Sequence, residues 1–203
     1  MHSLEKEGSA ICEEIEKYSI ETRVPIIRKE MESFLRVMLT IKSPKNILEI
    51  GTGIGYSAIL MSEYLPENSK ITTIENYKKR IPIAKENIKR SGNEDVIKLI
   101  CADATEVLPT LNEKYDFIFM DAAKGQYIKF LPELLRLLDS GGILISDNVL
   151  QDGDLIESRF AVERRNRTIH ARMREYMYEI KNSPELVTSI IPLGDGITLS
   201  VRK

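Results

Sequence analysis

The stretch from Asn46 to Gly55 constrains the fold of this chain more than any other part of its sequence. It begins with a short apolar run, Ile47, Leu48 and Ile50, and such a run next to turn residues is typical of a buried parallel strand. Glycines follow at positions 51, 53 and 55, and residues 56–65 then carry apolar side chains at helical spacing. A strand, a glycine turn and a helix form the first half of a nucleotide-binding βα unit.

The spacing of the glycines distinguishes between kinds of nucleotide. A dinucleotide fingerprint, Gly-x-Gly-x-x-Gly, would need its last glycine at position 56, where this chain has Tyr56. An acid, Glu49, also lies inside the predicted strand, and a carboxylate there suits a ligand that carries a cation better than one that carries a pyrophosphate. A glycine turn without any ligand is the alternative at this point.

Strands and helices are predicted to alternate through most of the chain. After Asn46–Ile50, the strands are predicted at Lys70–Glu75, Val96–Cys101, Tyr115–Met120, Ile143–Ser146, Val187–Leu193 and Ile197–Val201. Helices are predicted at Leu4–Tyr18, Tyr77–Arg90, Thr105–Leu111, Gln126–Leu138 and Phe160–Asn182. A further helix is predicted to begin at Pro25, with an apolar face of Met31, Phe34, Leu35, Met38 and Leu39. This order predicts a doubly wound α/β fold with a mostly parallel, seven-stranded sheet. The Gly194-Asp195-Gly196 connection predicts an antiparallel hairpin at the C-terminal end.

Composition limits the class of protein. With 203 residues and no repeat or linker, the chain is predicted to be a single domain, 1–203, with a helical extension over residues 1–22. A net charge of −2 gives no overall nucleic-acid signature, so a basic footprint would have to be local. Cys12 and Cys101 form no disulfide framework, which suits a reducing cytoplasm, and Cys101 is predicted to be a core residue. The sequence shows no signal peptide and no membrane span, so a cytoplasmic location is expected.

Acids follow the predicted strands at the ends where ligands bind in open α/β sheets. They are Glu49, Glu75, Asp103, Asp121 and Asp147, the last with Asn148 beside it. One acid after a strand is usually a turn or a helix cap. Five in succession would repel one another, so positive partners are expected among them. A cationic cofactor near Glu49 and Glu75, and a divalent metal on hard oxygen ligands, with Mg²⁺ favoured over zinc, would satisfy this expectation.

Several motifs together resemble the cation-dependent O-methyltransferases, the family of catechol and caffeoyl-CoA methyltransferases, which have a Rossmann-like S-adenosylmethionine-binding fold. The motifs are Glu49–Ser57, Glu75, Cys101–Ala104, Phe119–Tyr127 and Ser146–Leu150. The resemblance implies a metal site of Asp121, Asp147 and Asn148, and a homodimer. It implies S-adenosylmethionine contacts by Ile27, Glu49, Gly51, Ser57, Glu75, Asp103, Ala104 and Asp121. Lys124 matches the family's general base, and neighbouring positive charges would help it to lose its proton; an exposed lysine at a helix start is the alternative.

The substrate is suggested by a local cluster of arginines. Arg159, Arg164, Arg165, Arg167, Arg172 and Arg174 occur with His170 in one predicted helix and its approach, where acids are sparse. A charge run is usually a solvated face, but this one could also contact RNA phosphates. The segments Arg165–His170 and Pro192–Ile197 resemble the bacterial tRNA 5-hydroxyuridine methyltransferase (TrmR) subgroup. That resemblance implies the tRNA anticodon as partner, with contacts from Arg164, Arg165, Arg167 and His170.

Two other functions are compatible with the sequence. The same site could methylate a small catechol or a caffeoyl ester. However, the chain has no tryptophan and an aromatic content of 6%, so few aromatic side chains are available to line a pocket for such a substrate. The chain could also be a non-catalytic interaction protein that keeps the fold. The complete set of predicted cofactor and metal residues argues against this last alternative.

Overall fold

The computed structural model describes residues 8–150 and 167–203. The helices are α1 Ala10–Thr22, α2 Lys29–Lys42, α3 Tyr56–Ser62, α4 Ile81–Arg90, α5 Ala104–Val107, α6 Tyr127–Leu137 and α7 Arg167–Asn182. The strands are β1 Asn46–Ile50, β2 Lys70–Ile74, β3 Ile97–Ile100, β4 Tyr115–Met120, β5 Leu138–Ser146, β6 Leu186–Ile191 and β7 Ile197–Arg202. Short 3-10 turns cover Leu108–Thr110 and Lys124–Gln126. The predicted alternation of strands and helices is therefore present.

The strands form a seven-stranded sheet in the order β3-β2-β1-β4-β5-β7-β6. The predicted α/β fold is confirmed, with a mostly parallel sheet that ends in the antiparallel β6–β7 hairpin. The chain divides into two compact units, residues 1–103 and 104–203. This division does not test the prediction of a single domain, which stays a prediction.

In the first unit, β1, β2 and β3 pair in parallel, with Ile47 opposite Ile71 and Ile71 opposite Ile97. Four of the five residues of β1 are buried, as the continuous apolar run predicts for a strand covered on both faces. Helix α2 buries Met31, Leu35 and Leu39, one helical turn apart. The core of this unit therefore lies around β1, directly before the glycine turn.

In the second unit, β4 pairs in parallel with β5, and β7 pairs antiparallel with both β5 and β6. The strands β4 and β5 carry large buried side chains, among them Phe117, Phe119 and Leu144. Helix α7 packs against α6, against β6 and against the 3-10 turn Lys124–Gln126. The ends of β4 and β5, where the predicted metal ligands lie, are thus supported by packed secondary structure.

Several predicted boundaries are wrong for identifiable reasons. The helix predicted to begin at Pro25 begins at Lys29, after an extended Arg28. The helix predicted from Tyr77 begins at Ile81, because the backbone N–H groups of Asn76 and Tyr77 donate to the Glu75 carboxylate. Strand β5, predicted to begin at Ile143, extends back to Leu138, with an irregular register where it pairs with β4.

Three predicted core positions also differ. Cys101 is exposed, because β3 ends at Ile100 and Cys101 lies beyond it. Phe34 and Met38 are only half-buried on α2. The predicted N-terminal helix is present as Ala10–Thr22. Residues 1–7 lie outside the described part of the chain, and so do residues 160–166 of the predicted arginine-rich helix. Among residues 8–150 and 167–203, no helix is long and apolar enough to cross a membrane.

Candidate active site

The glycine turn follows β1 and is attached to the end of β2. Gly51, Gly53 and Gly55 all have positive φ angles, of 101°, 58° and 91°, which side chains rarely allow. The N–H groups of Gly51 and Thr52 donate to the carbonyl of Ile74 at 3.0 and 3.3 Å. A Cβ added at Gly53 would meet no atom within 4 Å. The turn therefore leaves open space beside its backbone, as a ligand cradle requires.

Glu49 is fully buried beneath this turn. Its two carboxylate oxygens accept hydrogen bonds from the hydroxyls of Ser57 and Thr73. The Thr73 hydroxyl also pairs with that of Thr52 at 2.6 Å. These bonds compensate the cost of burying a charge and join β1 to β2, the turn and α3. The predicted cofactor contacts of Glu49 and Ser57 are not tested by this arrangement and stay predictions.

Glu75 directly follows β2, and its carboxylate is held in a fixed orientation. One oxygen accepts from the N–H of Gly53 at 2.8 Å, and the other from the N–H groups of Asn76 and Tyr77 at 3.0 and 2.8 Å. The side-chain amide of Asn76 in turn donates to Asp103 at 2.8 Å. The structure thus brings Gly53, Glu75 and Asp103 into one hydrogen-bonded group, while the predicted cofactor contacts of Glu75 and Asp103 stay predictions.

The remaining predicted cofactor residues are placed as follows. Gly51 is half-buried at the first position of the turn. Ile27 lies in the segment between α1 and α2 and is 8% exposed. Ala104, also 8% exposed, is the first residue of α5. An open turn with a fixed carboxylate beside it fits a nucleoside with two ribose hydroxyls, whereas no feature of the turn is specific for a pyrophosphate.

In the second unit, the three predicted metal ligands come together at the ends of β4 and β5. The side-chain amide of Asn148 donates to Asp121 Oδ1 at 3.0 Å, and the Asn148 N–H donates to Asp147 Oδ1 at 2.6 Å. Asn148 has a left-handed backbone, φ 56°, which turns the chain back beside Asp147. An amide can present its oxygen instead of its nitrogen, so the set offers three hard oxygens, as Mg²⁺ prefers.

This set has only two carboxylates. Among residues 8–150 and 167–203, no group of three or more His, Cys, Asp or Glu side chains is placed to hold a metal ion. A cation held by Asp121, Asp147 and Asn148 would therefore keep coordination positions for water or for oxygens of another molecule. That is the usual situation of Mg²⁺, which keeps several of its waters in protein sites.

Tyr127 contacts both chain segments that carry the predicted metal ligands. This residue was given no role by sequence reasoning. Its hydroxyl donates to the carbonyl of Asp147 at 3.0 Å and accepts from the N–H of Ala122 at 3.2 Å. Burial, reinforced by the negative charge of Asp121, raises the pKa of this phenol well above its ordinary value. Tyr127 thereby links the chain after β4 to the chain after β5 as a neutral donor.

A second buried phenol, Tyr176 of α7, packs edge-on against Tyr127 with ring centroids 5.5 Å apart. Its hydroxyl pairs with that of Ser146, the last residue of β5, at 2.5 Å. Burial raises the pKa of Tyr176 to about 12. The spacing of buried residues along α7 could have predicted that Tyr176 faces inward, but not which strand end it would contact.

Lys124 lies on the 3-10 turn that follows Asp121 and is half-buried. Helix α7 packs on this turn, and Arg172 donates to the carbonyl of Gly125 at 3.3 Å. Lys124 is the first residue of this 3-10 turn, which leads directly into α6 at Tyr127, so both its predicted role as a base and the alternative of a lysine at a helix start stay open.

The predicted tRNA contacts have a different outcome. Arg164 and Arg165 lie outside the described residues. Arg167 is half-buried at the first position of α7. The prediction for His170 is wrong: the residue is 1% exposed, because it lies on the face of α7 that also buries Met173, Met177 and Ile180. Its ring nitrogens have no hydrogen-bond partner among the described residues.

Comparison with known proteins gives a consistent result. Residues 2–203 match the model of a family described as O-methyltransferase. Caffeoyl-CoA O-methyltransferase 2 of Populus trichocarpa is 32% identical over 183 residues, which cover 83% of this chain and 71% of the poplar protein. Catechol O-methyltransferase of Niastella koreensis is 36% identical over 128 residues, 61% of this chain and 58% of that protein.

A solved structure adds the cofactor of a relative. The O-methyltransferase from Bacillus cereus in complex with S-adenosylhomocysteine superposes with a TM-score of 0.88, at 25% identity, over 99% of this chain and 94% of that one. Likeness of this extent covers both units of the chain, including the glycine turn and the ends of β4 and β5.

Proposed function

This chain belongs to the O-methyltransferase family, and from that premise we propose that it methylates 5-hydroxyuridine at the wobble position of tRNA. It is an S-adenosylmethionine-dependent O-methyltransferase of the caffeoyl-CoA and catechol type. The substrates named for its relatives are phenols with two oxygens on neighbouring ring carbons. In 5-hydroxyuridine, the 5-hydroxyl and the O4 carbonyl are neighbours in the same way, so the same chemistry can act on it.

The observation that carries the cation-dependent part of the proposal is the hydrogen-bonded group of Asp121, Asp147 and Asn148. We assign these residues to a divalent cation, with Mg²⁺ as the ion that their hard oxygens favour. When bound, such a cation lowers the pKa of a coordinated hydroxyl and orients it for attack. Tyr127 keeps Asp147 in place through its backbone carbonyl. The positions of these side chains are therefore set before any ligand arrives.

Two residues of the first unit, Gly53 and Glu75, are assigned to the cofactor. Glu75 would accept hydrogen bonds from the ribose hydroxyls, because its carboxylate is already fixed by three backbone N–H groups. The open space beside Gly53 would accommodate the part of the cofactor that lies against the backbone of the turn. S-adenosylmethionine supplies an activated methyl group whose transfer to oxygen leaves S-adenosylhomocysteine.

Lys124 is assigned as the general base, as the resemblance implies. It follows Asp121 by three residues, and its turn is held by α7 through Arg172 and Gly125. A lysine acts as a base only in its neutral form. Its role would be to take the hydroxyl proton as the methyl group is transferred.

The tRNA part of the proposal rests on charge and on motif. The segment Arg165–His170 carries the subgroup resemblance, and Arg167, Arg172 and Arg174 add positive charge along α7. Burial of His170 removes one of the four predicted contacts but leaves the arginines. A single-stranded anticodon base is accessible to an enzyme of this kind, since its edges are not paired. The homodimer implied by the family also stays a proposal.

A small phenol is the second candidate, because curated relatives act on caffeoyl-CoA and catechol according to their names. A single experiment separates the candidates. Purified protein, Mg²⁺ and methyl-labelled S-adenosylmethionine are incubated with tRNA from a strain that lacks this gene, and in parallel with a catechol panel. We expect label in tRNA that maps to 5-methoxyuridine.

The matched control is the Lys124→Met variant, which should bind S-adenosylhomocysteine normally but transfer methyl groups 10²–10⁴-fold more slowly, the usual contribution of a general base. Label in catechols alone would overturn the tRNA proposal and keep the site chemistry. Undiminished transfer by Lys124→Met would remove Lys124 from the mechanism.

A further inference from the structure

The strongest unassigned feature of the structure is a basic surface in the first unit. Residues 77–90 contain six cationic residues and a single acid, Glu86. Their net charge of +5 lies in a chain whose total is −2, so the remaining residues carry −7. We call this the α4 surface and define it by the residues Tyr77, Lys78, Lys79, Arg80, Lys85 and Lys89.

The cations of the α4 surface are exposed and mostly lack partners. Lys78, Lys79, Lys85 and Lys89 are all exposed, and none forms an ion pair or hydrogen bond with a described residue. Other basic residues of the chain are used internally: Lys29 and Arg36 bind Glu32, and Arg202 binds Glu185. Arg90, at the end of α4, is also used, because it pairs with Glu14. The α4 surface therefore keeps cations without any structural use for them.

An aromatic side chain lies at the start of this surface. Tyr77 is 49% exposed, and the Arg80 guanidinium lies 5.3 Å from its ring centroid. Tyr77 follows Glu75 by two residues, and its N–H donates to the Glu75 carboxylate. The α4 surface thus begins two residues after Glu75, the residue assigned to the cofactor ribose, and is hydrogen-bonded to it.

A groove lies beside the helix. It has a volume of about 530 Å³, and its apolar lining consists of Pro82, Ile88, Ile97 and Leu99. Lys85 and Lys89, one helical turn apart, line it with the acids Glu86 and Glu94. Single-stranded nucleic-acid sites combine cations that contact phosphates with aromatic rings on which bases stack. The α4 surface offers both, in its lysines and in the exposed ring of Tyr77.

We propose that the α4 surface binds the phosphate backbone of the RNA substrate; this inference rests on the proposed tRNA function and names a surface for it. A 10-residue helix is about 15 Å long, which is enough to contact more than one phosphate of a single strand. An anionic membrane is a poorer partner, because the apolar residues Ala84 and Ile88 of α4 are buried in the protein and unavailable for insertion.

The test compares two charge-reversed double variants of the full chain. The first, Lys85→Glu with Lys89→Glu, changes the α4 surface. The matched control, Lys17→Glu with Lys129→Glu, makes the same charge change at exposed lysines on α1 and α6. Binding to tRNA from the strain lacking this gene is measured at several salt concentrations, and methylation of tRNA and of a catechol is measured for each protein.

We expect the α4 variant to bind tRNA at least about tenfold more weakly at 0.1 M salt and to methylate it correspondingly less. The slope of log K against log salt should decrease by about 1.5, since each phosphate contact contributes about 0.7–0.9. Catechol methylation should be unchanged, which shows that the variant is folded. The control should resemble the unmodified protein.

Three outcomes would overturn the proposal. If tRNA is methylated and the α4 variant equals its control, the tRNA function stands and the RNA lies elsewhere. If both variants lose binding equally, net charge and not this surface is responsible. If the protein binds vesicles of phosphatidylserine and phosphatidylcholine but neither binds nor methylates tRNA, both the RNA surface and the tRNA function are wrong.

Discussion

At the scale of single residues, the candidate metal ligands are held by groups that bind no metal. Asn148 reaches Asp121 and Asp147 because its backbone is left-handed, and Tyr127 holds the carbonyl of Asp147. These candidate ligands were predicted from their position after strands and from the family resemblance. Sequence reasoning did not find Tyr127 as their support, because a tyrosine with helical neighbours is equally compatible with an ordinary core position.

Replacement of Asp147 by alanine tests the metal site. We expect methyl transfer to fall at least about 100-fold, because the site loses one of its two carboxylates and a cation would no longer be held firmly. Affinity for S-adenosylhomocysteine, measured by calorimetry, should stay within a factor of about three.

The control for that variant is Asp139→Ala, which removes an exposed carboxylate of the same unit and should leave activity intact. Full activity of the unmodified protein after treatment with a chelator would contradict the cation hypothesis.

The buried tyrosines predict how stability depends on pH. The pKa of Tyr176 is raised from 10.0 to about 12, and that of Tyr127 is raised in the same direction. Between pH 10.0 and about pH 12, the unfolded chain loses phenol protons that the folded chain keeps. The free energy of unfolding should therefore fall as pH rises. The expected slope is roughly 1 kcal/mol per pH unit for each tyrosine.

Urea unfolding between pH 9 and 11.5 measures this slope. The Tyr176→Phe variant should show a shallower dependence than the unmodified protein, because one of the titrating groups is gone. An identical slope for the two proteins would mean that Tyr176 is not protected in the folded state.

At the scale of elements, the N-terminal helices are linked to the glycine turn by a buried carboxylate. Glu32 of α2 is 2% exposed and accepts from Tyr56 at 2.7 Å, from Lys29 at 3.1 Å and from Arg36. Lys29 also binds Glu16 of α1 at 2.6 Å. Tyr56 directly follows Gly55, so this chain of bonds runs from α1 to the first residue of α3.

Replacement of Glu32 by alanine tests the link. It leaves two cations and a phenol near a vacated site, so we expect a loss of about 3–5 kcal/mol in the free energy of unfolding. Tyr56→Phe removes a single hydrogen bond and should cost about 1 kcal/mol. Both variants should bind S-adenosylhomocysteine more weakly, because the glycine turn loses an anchor.

The control is Glu30→Ala, an exposed acid of the same helix, which should change the free energy of unfolding by less than about 0.5 kcal/mol. Urea unfolding and calorimetric titration measure the two effects. If Glu32→Ala lowers the free energy of unfolding no more than Glu30→Ala does, the hydrogen bonds of Glu32 do not stabilise the fold.

At the scale of the whole molecule, ligand binding should be visible as thermal stabilisation. S-adenosylhomocysteine at 100 times its Kd should add about 2.7 kcal/mol to the free energy of unfolding. For a chain of 203 residues this corresponds to a rise in Tm of about 5–10 °C. The dinucleotide NAD should give no rise, because Tyr56 stands where its fingerprint needs glycine. A larger shift with NAD would contradict the interpretation of the glycine turn.

The sequence by itself determined the alternation of strands and helices, the glycine turn, the acids at the strand ends and the family. These features follow from local spacing, since a strand period, a positive φ or an acid after a strand depends on near neighbours. Only the tertiary structure decided that His170 points inward, that Cys101 is exposed and that Glu32 holds Tyr56. The physical reason is that burial and buried hydrogen bonds depend on residues distant in sequence, such as Glu32 and Tyr56, 24 positions apart.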